Sequence, residues 1–136
     1  MTETTHQRSL VMILARDLAS ILATPVFIVD ARGELVYFNE AAEAILGRAF
    51  IEKQDMSAEE WSTVFQPVDE QCRPIRFEDL PLGVAITRRV PAHGSLGIMG
   101  ADGVGRHIEV TAIPLFARAE EFVGGLAVFW ERSEGT

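Results

Sequence analysis

The stretch Pro25–Asn39, PVFIVDARGELVYFN, decides the fold, because it contains two β-prone runs joined by a polar turn. The runs, Val26–Val29 and Glu34–Phe38, are rich in β-branched and aromatic residues. The residues between them, Asp30-Ala31-Arg32-Gly33, end in a glycine, which is typical of a hairpin. The sequence therefore predicts an antiparallel β-hairpin here.

An amphipathic helix is predicted before the hairpin, over Gln7–Leu22. Thr24-Pro25 ends it, because proline disfavours the α-helical conformation of the residue before it. Apolar residues recur along it at spacings of three and four, at Leu10, Leu14, Leu18 and Ile21. A second apolar stripe lies beside the first and contains Val11, Ala15 and Leu22. The helix therefore presents apolar residues on more than one side.

Short helices are predicted after the hairpin. Asn39 is an N-cap residue before Glu40–Leu46, and Gly47 ends that helix. Ser57 begins a capping box, with Trp61, Val64 and Phe65 on one face of the helix that follows. The last candidate covers Glu78–Arg89, with Pro81 in its first turn.

The remainder of the chain is predicted to be β-structure. Its strands cover Val90–Met99, Val104–Phe116 and Glu121–Glu131, and Gly100-Ala101-Asp102-Gly103 forms the turn between the first two. Helix, two strands, short helices and three strands, in this order, predict an α+β fold with an antiparallel sheet.

Composition limits the function classes. The 136 residues and 15.0 kDa fit one domain. A net charge of −8 and a pI near 4.8 disfavour a nucleic-acid partner. The single cysteine excludes an intramolecular disulfide framework. The N-terminus lacks the basic residues of a signal peptide, and the apolar runs are too short for a membrane span, so we expect a cytoplasmic protein without a membrane partner.

Taken together, these motifs resemble a PAS domain over Ile21–Glu131. The resemblance is carried by Pro25–Asn39, Ala41-Ala42, Ile45-Leu46-Gly47, Arg73-Pro74, Glu78–Leu82, Asp102-Gly103, Pro114-Leu115 and Gly124-Gly125. It implies a five-stranded antiparallel sheet with short helices on one face and an N-terminal helix. The chain then divides into a helix over 1–23, the PAS-like domain over 24–132 and a tail over 133–136.

The resemblance also implies a function, since PAS domains are sensory and protein-interaction modules and many of them are dimers. We expect a regulatory module that acts through protein–protein contact, including an unidentified signalling partner. No nucleophile stands beside a readable base, so we expect no enzymatic activity. Some PAS domains hold haem, flavin or a small organic ligand between sheet and helices.

The family's strand orientation implies a set of residues that face this space. It would be lined by Phe27, Val29, Leu46, Leu82, Ile86, Leu96, Ile98, Ile108, Val110, Ala112, Ala127 and Phe129. All are apolar, so a ligand would be small and hydrophobic. The alternative is that these side chains fill the space themselves, which would leave a structural homodimerisation module without a ligand.

The opposite face of the sheet is also apolar, at Ile28, Ile113, Leu126, Val128 and Trp130. A face of this kind marks a contact surface. We therefore expect a homodimer held by the N-terminal helix and the outer sheet face. The residues predicted for its interface are Leu10, Leu14, Leu18, Ile21, Leu126, Val128 and Trp130.

No cofactor or metal ion is expected. Cys72-Arg73 is similar to the reactive cysteine motif of flavin-binding LOV domains, but Pro74 follows it at once, and Phe129 stands where those domains carry an amide. His107 and Glu109 share one face of a strand, and His93 lies near them on the next strand. Exposed polar pairs of this kind are far commoner on sheets than metal sites.

Overall fold

A computed structural model describes residues 2–51, 56–118 and 120–132. Residue 1 and the predicted tail, 133–136, lie outside the described residues. The helices are α1 (Thr2–Ser20), α2 (Glu40–Leu46), α3 (Ala58–Val64) and α4 (Pro81–Arg88), with a 3-10 turn at Phe77–Asp79. The strands are β1 (Val26–Asp30), β2 (Leu35–Phe38), β3 (Ala92–Met99), β4 (Gly105–Arg118) and β5 (Glu121–Glu131).

The strands of the described residues form one five-stranded antiparallel sheet in the order β2-β1-β5-β4-β3. β5 lies at the centre, where Ala127 pairs with Phe27 on one side and with Ala112 on the other. Because directly paired residues of neighbouring strands point to the same face, these three side chains lie on one face, beneath α2, α3 and α4. The predicted α+β class, the hairpin and the five-stranded sheet are confirmed.

Capping residues fix the helix ends that the sequence predicted. The Asn39 side chain accepts a hydrogen bond from the backbone N–H of Ala42, and Gly47 ends α2 in the left-handed conformation at φ 73°. Ser57 and Glu60 form the capping box of α3. These capping interactions join residues only a few positions apart, so the sequence alone indicates them.

The predicted bounds of two helices are wrong. α1 begins at Thr2 rather than Gln7 and ends at Ser20 rather than Leu22. The predicted start of the last helix, Glu78, lies in the 3-10 turn, and α4 begins only at Pro81. Leu80 between them has extended backbone, at φ −70° and ψ 150°, because Pro81 disfavours the helical conformation there.

The core has two layers, one on each side of the sheet. The inner layer fills the space between the sheet and α2, α3 and α4. The outer layer is smaller and consists of Ala19, Val26 and Ile28 with partly buried neighbours from α1, β2 and β5. The fold therefore buries both faces at its centre, as the two apolar faces of β1 and β5 require.

Candidate functional site: a core cavity and an exposed helix stripe

An apolar cavity of about 80 Å³ lies between the inner face of the sheet and the helices. The strands supply one wall, while the end of α2, α3, α4 and the segments beside α3 and α4 supply the other. Its lining residues are Phe27, Leu46, Trp61, Ser62, Phe65, Pro67, Leu80, Pro81, Leu82, Leu96, Ile98, Ile108, Val110, Ala127 and Phe129.

Nine of the twelve residues that were predicted to face this space line the cavity. They are Phe27, Leu46, Leu82, Leu96, Ile98, Ile108, Val110, Ala127 and Phe129. The other three, Val29, Ile86 and Ala112, are buried in the core beside it. The strand orientation implied by the resemblance thus agrees with the strand residues of this set, but the volume of the cavity depends on how the helices cover the inner face.

The cavity also has lining residues that the sequence analysis did not identify, chiefly on the helical wall. The indole N–H of Trp61 donates a 2.8 Å hydrogen bond to the carbonyl of Gly33, and its ring lies 5.1 Å from that of Phe27. Trp61 and Phe65 are buried, whereas Val64, predicted to share their face, is 36% exposed. The apolar face of α3 indicated that this helix packs on the core. Only the tertiary structure showed that the face forms a wall of the cavity.

The residues present do not fit a flavin or a haem. No described residue of the lining is a histidine, cysteine or amide. Cys72 is exposed in a turn outside the lining, in the left-handed conformation at φ 64°. A single benzene ring occupies a cavity of about 150 Å³. The space of about 80 Å³ is therefore too small for a fused tricyclic ring or a porphyrin.

On the outer face of the sheet, α1 packs through its small residues. Met12, Ala15 and Ala19 contact the outer core layer, in which Leu126 and Val128 are partly buried. The Arg16 guanidinium lies over the Tyr37 ring, 4.6 Å from its centre, and over Phe50. Two predicted interface residues, Leu126 and Val128, thus pack in the outer core layer within the same chain.

A row of apolar residues on α1, continued by Ile21 and Leu22 just after the end of the helix, points away from this contact. Leu10, Leu14 and Leu18 are 52–58% exposed, and Ile21 is 79% exposed. Ile13 and Leu22 widen the stripe, at 53% and 40% exposed. Trp130 and Ile113, on the outer face of the sheet, are also about two-fifths exposed. We call Leu10, Ile13, Leu14, Leu18, Ile21 and Leu22 the leucine stripe.

A hydrogen-bonded polar cluster borders Trp130 on the same face. Glu109 accepts a 2.6 Å hydrogen bond from the Ser95 hydroxyl and lies 3.1 Å from His93 Nε2. Arg132 Nε lies 3.5 Å from Glu109 Oε2, the oxygen that accepts from Ser95. The Ser95 hydrogen bond, followed by His93 and the charge of Arg132, lowers the pKa of Glu109 below its ordinary value of 4.5.

Within the described residues, no group of three or more His, Cys, Asp or Glu side chains is placed to hold a metal ion. His93 contacts Glu109, while His107 pairs with Gly97 in the strand register. None of the helices that the structure describes is long and apolar enough to cross a membrane.

Comparisons with known proteins agree with this architecture. A family model described as "PAS fold" matches residues 15–132. The PAS domain of BvgS from Bordetella pertussis superposes with a TM-score of 0.59 at 16% identity, covering 91% of this chain and 87% of that domain. The PAS domain of nitrogen regulation protein NR(II) from Vibrio parahaemolyticus gives 0.59 at 18% identity, covering 88% and 98%.

A blue-light photoreceptor has the same fold. The light-state dimer of the fungal blue-light photoreceptor Vivid superposes with a TM-score of 0.60 at 14% identity, covering 90% of each chain. No curated protein matched the chain. At these identities the structures establish the fold, and the family model, which spans most of the chain, establishes the family. The chain therefore belongs to the PAS family.

Proposed function

We propose that this PAS domain is a sensory or regulatory module that acts by protein–protein contact, as a homodimer assembled through α1. The observation that carries the proposal is the leucine stripe, which α1 turns outward although its small residues already cover the sheet. An isolated exposed leucine is ordinary, but a contiguous row along one helix is typical of a contact surface.

Energetics favour a second copy of the chain as the occupant. Each leucine that passes from water into an interface contributes about 1.5–3 kcal/mol. In a twofold dimer the same stripe is buried on both subunits, so each side chain contributes twice to the free energy of association. Ile113 and Trp130 extend the apolar surface on the sheet, which is useful because two short helices alone associate weakly.

The charge pattern also supports self-association. The chain carries a net charge of −8, which opposes the approach of two copies in general. Within α1, however, Glu3 and Asp17 are balanced by Arg8 and Arg16. Two α1 helices can therefore meet without bringing excess negative charge together. Vivid, a structure of the same fold, is described as a dimer in its light state.

The core cavity supports the sensory part of the proposal. A regulatory domain needs a signal, and an apolar space beside α3 and α4 provides a place for a small apolar ligand. The resulting change would reach a signalling protein partner through the dimer surface. We propose no enzymatic activity, and a cytoplasmic location, where the exposed thiol of Cys72 stays reduced.

Sedimentation equilibrium of the full chain at micromolar concentration tests the dimer. We expect a mass near twice 15.0 kDa, and a mass near 15.0 kDa contradicts the proposal. The ligand has a separate test, which is mass spectrometry of the molecules released when purified protein is denatured. A dimer that releases nothing and shows no thermal shift with metabolites or lipids supports the alternative, a structural homodimerisation module without a ligand.

A further inference from the structure

We propose that the core cavity selects one small, uncharged molecule without hydrogen-bonding groups, such as a dissolved gas or a short hydrocarbon. This inference rests on the proposed function, because it names the ligand class of the same site. Three observations carry it: the chemistry of the lining, the volume, and the place where the cavity meets solvent.

The lining offers a ligand almost nothing but carbon. Among the described lining residues, only two carry a polar side-chain group: Ser62 has a hydroxyl and Trp61 has an indole N–H. The Ser62 hydroxyl donates to the carbonyl of Glu59, and the Trp61 N–H to that of Gly33. A buried water needs two to four polar partners. The cavity therefore disfavours water and any ligand that must keep its hydrogen bonds.

The volume limits the ligand to a few atoms. The cavity of about 80 Å³ is larger than one water molecule needs but well below the cavity that holds a benzene ring. Benzene occupies a cavity about twice as large. Aromatic rings and longer alkyl chains are thus excluded by size, and polar molecules are excluded by the lining.

Among the described lining residues, all but Ser62 of α3 are buried, so we infer that the cavity comes closest to solvent beside α3. Ser62 is half-buried, while its neighbours in the wall, Trp61 and Phe65, are only 6% and 4% exposed. A small molecule therefore enters past one short helix, without crossing the sheet. Because the cavity lies against α3, we expect a bound molecule to displace this helix.

A pair of alanines allows a matched test. Ala127 and Ala112 are register partners on β5 and β4, and both are buried on the inner face. Only Ala127 lines the cavity. Ala127→Val therefore fills ligand space, whereas Ala112→Val adds the same atoms to the core outside the lining.

The experiment uses the full chain with xenon and cyclopropane as probes, followed by xenon NMR and by amide shifts of the protein. We expect saturable binding of both probes, with the largest shifts at Ala127 and its neighbours in the lining. At a probe concentration ten times the dissociation constant, the folding equilibrium constant should rise about elevenfold. Benzene should not bind the unaltered chain.

In the variants, xenon binding should be lost in Ala127→Val and retained in Ala112→Val. If Ala127→Val does not fold, displacement of xenon by cyclopropane in the unaltered chain provides the same test of a single shared site. Absence of saturable binding by either probe overturns the inference. Tighter binding of benzene or of flavin mononucleotide also overturns it, but leaves a ligand-regulated core in place. The oligomeric state separately tests the homodimer part of the proposed function, so the two failures are distinguishable.

Discussion

The side-chain amide of Asn39 donates a 2.9 Å hydrogen bond to the carbonyl oxygen of Ala19, near the end of α1. Asn39 also donates to the carbonyl of Thr24, and its side-chain oxygen accepts from Val26 and Ala42. Only 1% of Asn39 is exposed. One residue thus connects the end of α1 to the start of β1 and the start of α2.

Replacing this residue should detach α1 from the domain. Asn39→Ala leaves buried backbone groups without partners and removes the N-cap of α2, so we expect a loss of about 3 kcal/mol or more in unfolding free energy. Urea denaturation measures the loss. Ser57→Ala, which removes the cap of α3 alone, should cost only about 1 kcal/mol. Equal losses of unfolding free energy in the two variants would show that Asn39 acts only as a helix cap and does not hold α1 to the domain.

Placing a charge in the leucine stripe should separate the dimer. Leu14→Glu and Leu18→Glu each remove an apolar contact and bury a carboxylate, which should weaken association by about 2 kcal/mol or more, a change of about thirtyfold. The dissociation constant from sedimentation measures this. Ser20→Glu, exposed on the same helix, adds the same charge outside the stripe and should change little. Unchanged association in both leucine variants would contradict the interface.

Enlarging the cavity should create a benzene site. Leu82→Ala removes a lining side chain from α4, where alanine is a good helix former, and should cost about 3 kcal/mol. The space left behind approaches the size that holds benzene, so benzene should raise the thermal midpoint of this variant and leave that of the unaltered chain unchanged. A midpoint that does not respond would indicate that the helices collapse into the space.

The lowered pKa of Glu109 predicts a contribution to stability that is lost in acid. Because its folded-state pKa is lowered, chiefly by the Ser95 hydroxyl, the contribution is present above the ordinary glutamate pKa and is lost as pH falls through the folded value. Glu109→Gln should therefore be less stable than the unaltered chain at neutral pH, and the difference should shrink below pH 4.5. Denaturation at several pH values measures it, with exposed Glu120→Gln as the control.

Replacing Gly83 in α4 with alanine should destabilise the protein, although glycine-to-alanine changes usually stabilise a helix. A Cβ at this position would overlap the backbone carbonyl oxygen of Phe77. Gly83→Ala should therefore destabilise the protein by about 2 kcal/mol, instead of contributing the usual gain of up to about 1 kcal/mol. Thermal unfolding measures it. Gly105→Ala, where no atom lies closer than 3.9 Å, should be nearly neutral in comparison.

The sequence determined the local elements and their order. The hairpin of β1 and β2, the caps at Asn39 and Ser57, and the exact range of β5 follow from residues that act on near neighbours. The strand orientation implied by the family resemblance likewise placed seven cavity residues of the strands on the inner face. These features are predictable because turn chemistry, capping and side-chain alternation depend on a few adjacent positions.

Only the tertiary structure decided which side of α1 packs on the sheet and where the core leaves space. The periodicity predicted a second apolar stripe with Val11, Ala15 and Leu22, but the sheet contacts Ala15 together with Met12 and Ala19. Leu22 is exposed instead, as are Leu14 and Leu18. The place of Trp61 in the lining depends on residues distant in sequence, such as Gly33 and Phe27. Such choices follow from the volume and shape of facing surfaces, which no local pattern contains.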